Sequence, residues 1–297
     1  VLFWTLVHWR PKTFFNKTSF KNMFGFGSKL LISGLLNTLY ENVYDLIIGK
    51  VFSAGTLGNY SRASHFANFP SSNINGIFQR VTFPVLSKIQ NDHDKLRVGY
   101  LKFLNMATLV VFPLMIGLSA VAKPFILLVL TDKWVDAILI LQIICFAQMW
   151  YPVHSINLNM LQVLGRSDLF LKLEIIKKIE GITVLCITLP HGIIAMCFGQ
   201  WFNACFGLVI NTYYSGKLLN AGLLPQLKMY IPTILNSLIM GAICLGVTKL
   251  LPEKEYGIQL ILGITAGATY YLVSNWIFNR STVKELLELL NRKKKKL

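Results

Sequence analysis

Apolar residues fall in blocks of about 20 along the chain, divided by short polar gaps, and that is the length a helix needs to cross the hydrocarbon core of a bilayer. Eight blocks stand out: about Phe24 to Val51, Ser61 to Ser87, Val98 to Ala122, Trp134 to Leu164, Phe170 to Leu189, Ile193 to Tyr214, Met229 to Leu251 and Ile258 to Phe278. The second is more polar and is broken by Pro70, the third carries Pro113, and the fourth is long enough to tilt or protrude. Phe125 to Leu130 is too short to span and is expected to continue its neighbour or turn at the interface. The pattern predicts an all-α, polytopic transmembrane bundle of about eight spans. No gap reaches the size of a folded catalytic domain, roughly 50 residues at the least, so the function is expected between the helices and no enzyme is expected.

Composition agrees. The 297 residues are 54% hydrophobic and only 14% charged, yet carry a net charge of +16. A soluble domain has about a quarter charged residues, and a nucleic-acid binder shows its Lys and Arg as a dense surface stripe. Here the cations occupy gaps between apolar blocks, so partners are expected to be membrane lipids and a membrane-borne substrate, with no nucleic acid. Cys145, Cys186, Cys197, Cys205 and Cys244 lie in apolar stretches without CxxC or histidine spacing, so they read as small buried hydrophobes, with no metal site and no cofactor.

Positive charge accumulates on the cytoplasmic side of membrane proteins. Alternate gaps and the C-terminal tail hold 21 of the 29 cations, the opposite gaps hold 6, and Lys29 and Arg80 fall inside spans. The Arg10 to Lys21 gap and the C-terminus are therefore read as cytoplasmic. Ser281 to Leu290 has an amphipathic helical pattern, and Arg292 to Lys296 would favour anionic lipid beside it. Val1 to Trp9 resembles the tail of a helix more than a signal peptide, and an N-terminally truncated chain is expected.

Ionisable groups inside a span are costly and mark candidate sites. Counted from the ends of their blocks at 1.5 Å per residue, Lys29 lies about 8 Å and Arg80 about 12 Å from the cytoplasmic side. Two cations there suit a phosphate or diphosphate head group, with snorkelling to lipid as the alternative. Ser61, His65, Asn68, Ser72, Asn75 and Gln79 follow one another at helical spacing and form a polar stripe, which either lines a cavity for sugar hydroxyls or bonds to another helix. Glu41 and Asp45 share a helix face near Arg62 and Lys50; they read as an ion-coupling site for H+ or Na+, or as an ordinary salt-bridge pair. His65 and His154 are read as structural. HExxH, GxSxG, GxxxxGK[ST] and DxD are absent.

The blocks FGSKLLISGLLNTLYENVYDLIIGKVFSAGTLGNYSRA (Phe26 to Ala63), FPSSNINGIFQRVTFPVLSKIQND (Phe69 to Asp92), FPLMIGLSAVAKP (Phe112 to Pro124), DKW (Asp132 to Trp134) and LGRSDL (Leu164 to Leu169) resemble the second half of a bacterial polysaccharide or O-antigen flippase. That superfamily also holds multidrug extruders and the lipid II flippase. The resemblance implies two six-helix lobes around a central cavity, with two further C-terminal helices in some members. It assigns residues 1–23 to the end of a preceding helix and a cytoplasmic linker, 24–215 to the second lobe, 216–280 to the added pair, and 281–297 to a basic cytoplasmic tail. The first lobe, with half the substrate cavity, would be missing. It further implies a bacterial inner-membrane protein that flips an undecaprenyl-diphosphate-linked oligosaccharide to the periplasmic leaflet by alternating access, alongside other polysaccharide assembly proteins. The alternatives are a cation-coupled drug extruder of the same fold, a membrane-embedded glycan polymerase or ligase, and a structural scaffold.

Overall fold

The computed structural model describes residues 16–252, 254–280 and 282, and among these every regular element is a helix. The expected helix end at Val1 to Trp9 and the amphipathic tail from Ser281 lie outside the described residues, Thr282 apart. Helices α1 (Lys17–Val51) and α2 (Ala54–Lys88) are joined by a turn in which Ser53 caps α2, its Oγ accepting from the Thr56 N–H at 3.1 Å. Asp92 caps α3 (His93–Ala120) in the same way and pairs with Lys95 at 2.9 Å, which holds its exposed carboxyl below the usual carboxylate range. Helices α4 (Ala122–Leu130), α5 (Asp136–Gln148), α6 (Tyr151–Val163), α7 (Ser167–Thr188), α8 (Ile193–Leu219), α9 (Leu223–Leu250) and α10 (Tyr256–Phe278) follow.

The expected eight blocks each become a long helical rod, with three local differences. The first starts earlier, at Lys17. The third ends at Ala120, and the short apolar run becomes a separate helix, α4, with Pro124 in its first turn. The fourth divides into α5 and α6 where Pro152 enters the first turn of α6; its ring removes the N–H that a continuous helix would donate backwards. Among the described residues five segments, His93–Ala120, Asp136–Val163, Ile193–Leu219, Leu223–Leu250 and Tyr256–Ile277, are long and apolar enough to cross a membrane. Helices α1, α2 and α7 are long as well but more polar.

Helix α2 packs against α3, α5 and α6; α8 covers α5 and α6; α7 lies between α1 and α8; α9 lies along α3, with α10 against α9 and α4. At the centre Phe112, Trp150 and Tyr230 meet edge to face, with ring centroids 5.1 to 6.1 Å apart, joining α3, the α5–α6 bend and α9. Below them sits a fully buried polar node. Gln226 donates to the Tyr100 hydroxyl at 2.8 Å and to the Ala221 carbonyl at 2.9 Å, the Tyr100 hydroxyl donates to Asn157 Oδ1 at 2.6 Å, and the Tyr230 hydroxyl donates to Gln226 Oε1 at 2.7 Å. Every member has a partner, as a low-dielectric interior demands.

Helix α7 turns an isoleucine face outward, Ile175, Ile176, Ile179, Ile182 and Ile187, and keeps charge inside. Glu174 is buried and forms an ion pair with Lys177 one turn later. Beside that pair the stem of Lys177 and the half-buried ring of His154 both border Gly207 of α8, and His154 Nδ1 contacts Asn211 Nδ2 at 3.2 Å. The sequence reading counted Lys177 among the gap cations that set topology, although it falls within the fifth block; in the structure it lies within α7.

Two stability outcomes follow. A side chain at Gly241 would start 2.8 Å from Ile116 Cγ2, whereas one at Gly246 would meet nothing within 4 Å. Gly241→Leu should therefore wedge α9 off α3 and destabilise the protein by about 1–3 kcal/mol, with Gly246→Leu near neutral, read as thermal unfolding in detergent. Lys177→Met alone leaves a buried carboxylate unpaired and should cost about 3–5 kcal/mol, while Glu174→Gln combined with Lys177→Met recovers most of that; equal losses in the single and double variants would contradict the pairing.

Candidate functional site

Most of the outer surface is apolar, as lipid requires. Helix α10 exposes Ile258, Ile261, Leu262, Leu272, Val273 and Ile277, and α9 exposes Leu224, Ile231, Leu235, Leu238, Ile239 and Leu245. Helix α2 differs. Its open side carries Ser61, Arg62, His65, Asn68, Ser72, Asn73 and Arg80, with Phe69 and Ile77 among them. Arg62 and Arg80 are 18 residues apart, which is five turns of helix, so both project from one face about 27 Å apart along the axis. A face of this composition is not stable against hydrocarbon.

Its neighbours explain why it stays open. The opposite side of α2 carries Tyr60, Ala63, Ala67, Ser71, Asn75, Thr82 and Leu86, all buried. Small residues there let α5 and α6 approach closely, and the Ser71 hydroxyl donates to the Gln148 carbonyl at 2.8 Å. Helix α1 packs chiefly along α7 and meets α2 where Gly49 lies against Leu57.

The predicted polar stripe divides at this boundary. Ser61, His65, Asn68 and Ser72 are exposed on the open side, whereas Asn75 is buried and Gln79 is turned into α6, bonding to Ser155 and Asn159. Gln79 thus bonds to another helix, and Ser61, His65, Asn68 and Ser72 face outward. The stripe runs along the seam between the faces, because its members are rotated by about 100° from the line of Arg62 and Arg80 at 100° per residue.

The two cations lie on different helices. Arg80 is exposed, about 12 Å from the Lys88 end of α2, and forms no ion pair among the described residues. Lys29 is half-buried on α1, and no described contact joins it to Arg80. Of the residues expected to couple ions, Arg62 lies over the Trp134 ring at 5.8 Å, and Asp45 is exposed within electrostatic reach of Tyr60. The Glu41 side chain lies outside the described residues.

Sequence reasoning missed the Glu174–Lys177 pair and its setting beside His154 and Asn211. The charges of α7 were read as topological, and only the packing of α7 on α8 turns two of them inward. The available signal was the i, i+3 spacing of opposite charges next to an isoleucine face. Among the described residues there is no cluster of His, Cys, Asp and Glu able to hold a metal ion.

Residues 1–139 match the family described as "Polysaccharide biosynthesis protein". Over 279 residues the chain is 27% identical to the teichuronic acid biosynthesis protein TuaB of Bacillus subtilis (strain 168), covering 92% of this chain and 57% of that protein. It is 30% identical over 207 residues to the lipopolysaccharide biosynthesis protein WzxC of Escherichia coli (strain K12), covering 70% of this chain and 42% of that protein. The chain thus spans about half the length of these relatives. Among solved structures, the lipid II flippase MurJ in an inward closed conformation superposes with a TM-score of 0.69 over 92% of this chain and 57% of that one, at 19% identity. By sequence residues 1–139 are similar to the polysaccharide-biosynthesis family, and the fold of the chain resembles just over half of the lipid II flippase.

Proposed function

We propose that the complete protein carries a lipid-linked oligosaccharide across the bacterial inner membrane by alternating access, and that this chain supplies one side of its cavity. The observation that carries the reading is the open polar face of α2, bounded by Arg62 and Arg80, which contrasts with the apolar outer faces of α9 and α10. A lipid-linked glycan has a diphosphate, a polyhydroxylated head and an isoprenoid tail. Arg80 offers a planar, permanently charged fork for phosphate oxygens, and Lys29 offers a second cation nearer the same end of the bundle. The hydroxyls of Ser61 and Ser72, the amides of Asn68 and Asn73 and the imidazole of His65 can exchange bonds with sugar hydroxyls as the head moves, and the lipid tail can remain in the bilayer.

The named relatives support polysaccharide assembly as the setting, and the fold supports movement of a lipid-linked substrate. No reaction is assigned to the chain: the protein moves its substrate and leaves it unchanged. The excess of cations in the gaps at the Lys88 end supports placing that end, and the C-terminus, in the cytoplasm. The second half of the cavity would come from residues beyond this chain. Residues 24–215 are then the lobe that moves, with 216–280 braced against its side.

In a deletion strain complemented with the full-length gene, Arg80→Ala should lower surface polysaccharide by at least about tenfold, the effect of losing one charge-assisted contact of roughly 1.5–3 kcal/mol. Arg80→Lys should recover part of it, and Ile179→Ala, on the lipid side of α7, none of the loss. Wild-type polysaccharide in Arg80→Ala cells at matched expression would exclude the head-group role. Reporter fusions test orientation: one after Arg280 should be active in the cytoplasm and one at Lys254 in the periplasm.

A further inference from the structure

A cleft of about 500 Å³ opens at the foot of α2, between its last turn, the α2–α3 turn and the end of α6. Phe83 and Ser87 line it from α2, Gln90 and Asn91 from the turn, and Gln162 with Gly165 from the end of α6. None of the lining residues is charged. The volume is within the range of small-ligand sites.

The cleft is continuous with the candidate site. Phe83 and Ser87 lie three and seven residues beyond Arg80 and therefore on its side of the helix, so the cleft begins about 5–10 Å below the guanidinium. The α6 end is shaped by a helix-terminating turn in which the Gly165 N–H donates to Gln162 O at 3.0 Å and the Arg166 N–H to Leu161 O at 2.8 Å. Gly165 has φ +70°, and a Cβ there would meet nothing within 4 Å, so the turn leaves the cleft wall low and open.

The chemistry of the lining selects a ligand. The side-chain amides of Gln90, Asn91 and Gln162 make no hydrogen bond to any described residue, so three primary amides, each a donor and an acceptor, stand unused around one space. The Phe83 ring adds an apolar face with negative quadrupole charge, suited to the C–H face of a pyranose. An anion is disfavoured, because no cation lines the cleft and its helical walls are the C-terminal turns of α2 and α6, the negative ends of their dipoles.

We propose that this cleft is a glycan subsite: it holds a neutral sugar of the lipid-linked oligosaccharide while Arg80 holds the diphosphate. The assignment rests on the transport reading above. It makes the transporter recognise the head by two separate chemistries on one helix, charge at Arg80 and amide–hydroxyl bonding two turns below.

The test uses the full-length protein in open membrane fragments, with Asn91→Cys and Gln162→Cys in the cleft and Asn73→Cys on the open face. Labelling by a charged maleimide is timed in membranes from cells that make the lipid-linked glycan, in membranes from cells blocked at the first sugar transfer, and in the latter after addition of undecaprenyl diphosphate. Glycan-bearing membranes should slow labelling at all three positions, by about twofold at half-occupancy, and bare undecaprenyl diphosphate should leave positions 91 and 162 unchanged. Protection at 73 without protection at 91 and 162 overturns the subsite and leaves the transport reading standing. Equal protection of 91 and 162 by undecaprenyl diphosphate overturns the sugar assignment. No protection at any position overturns the transport reading and the subsite with it. Asn91 is in an exposed turn, so a folding defect at position 162 alone does not silence the test.

Discussion

A bilayer interior offers no water to satisfy a stranded N–H, hydroxyl or charge, and this one constraint organises the whole molecule. Helices answer it for the backbone. For side chains it favours a bonded partner inside the protein or a position on a face open to water. Gln226, Tyr100, Asn157 and Tyr230 close a buried network among α3, α6 and α9, and Glu174 is paired with Lys177 within α7. The open side of α2 has too many unpartnered polar groups for the first outcome, and so it becomes the candidate pathway.

The same division explains why three long helices fall outside the apolar set. Helix α1 is more polar than a lipid-facing span, α2 holds the open face, and α7 holds the internal ion pair. The apolar helices α3, α5, α6, α8, α9 and α10 supply the packed body, with the Phe112, Trp150 and Tyr230 rings locking its centre. Such a body can support a movable wet surface because its own contacts do not depend on that surface. A substrate with charged, hydroxylated and apolar parts would then meet, in turn, Arg80, the amides below it and the lipid beside the protein.

Much of this was legible from residue order. Charges and prolines bounded the eight rods, and the spacing of Ser61 to Gln79 exposed a polar line on the second of them. What that line touches was not legible, since a stripe records angle about one helix and says nothing of where the neighbours lie. Gln79 is directed into α6 and Asn75 is buried by the close approach of α2, which buried Ala63, Ala67 and Ser71 permit. The division near Trp150 was hidden for a different reason: Pro152 sits inside an apolar run where hydropathy alone sees continuity.

By itself the sequence determined that this is a multi-helix membrane protein, how its helices are bounded, and which polar residues stand inside them, because period, span length and charge are local properties. Only the tertiary structure decided which of those residues are paired and which stay open. It put Lys177 beside Glu174 and gathered Phe83, Gln90, Asn91 and Gln162 around one cleft from three segments. Burial and juxtaposition depend on how helices distant in sequence are packed, and no local pattern along the chain encodes that.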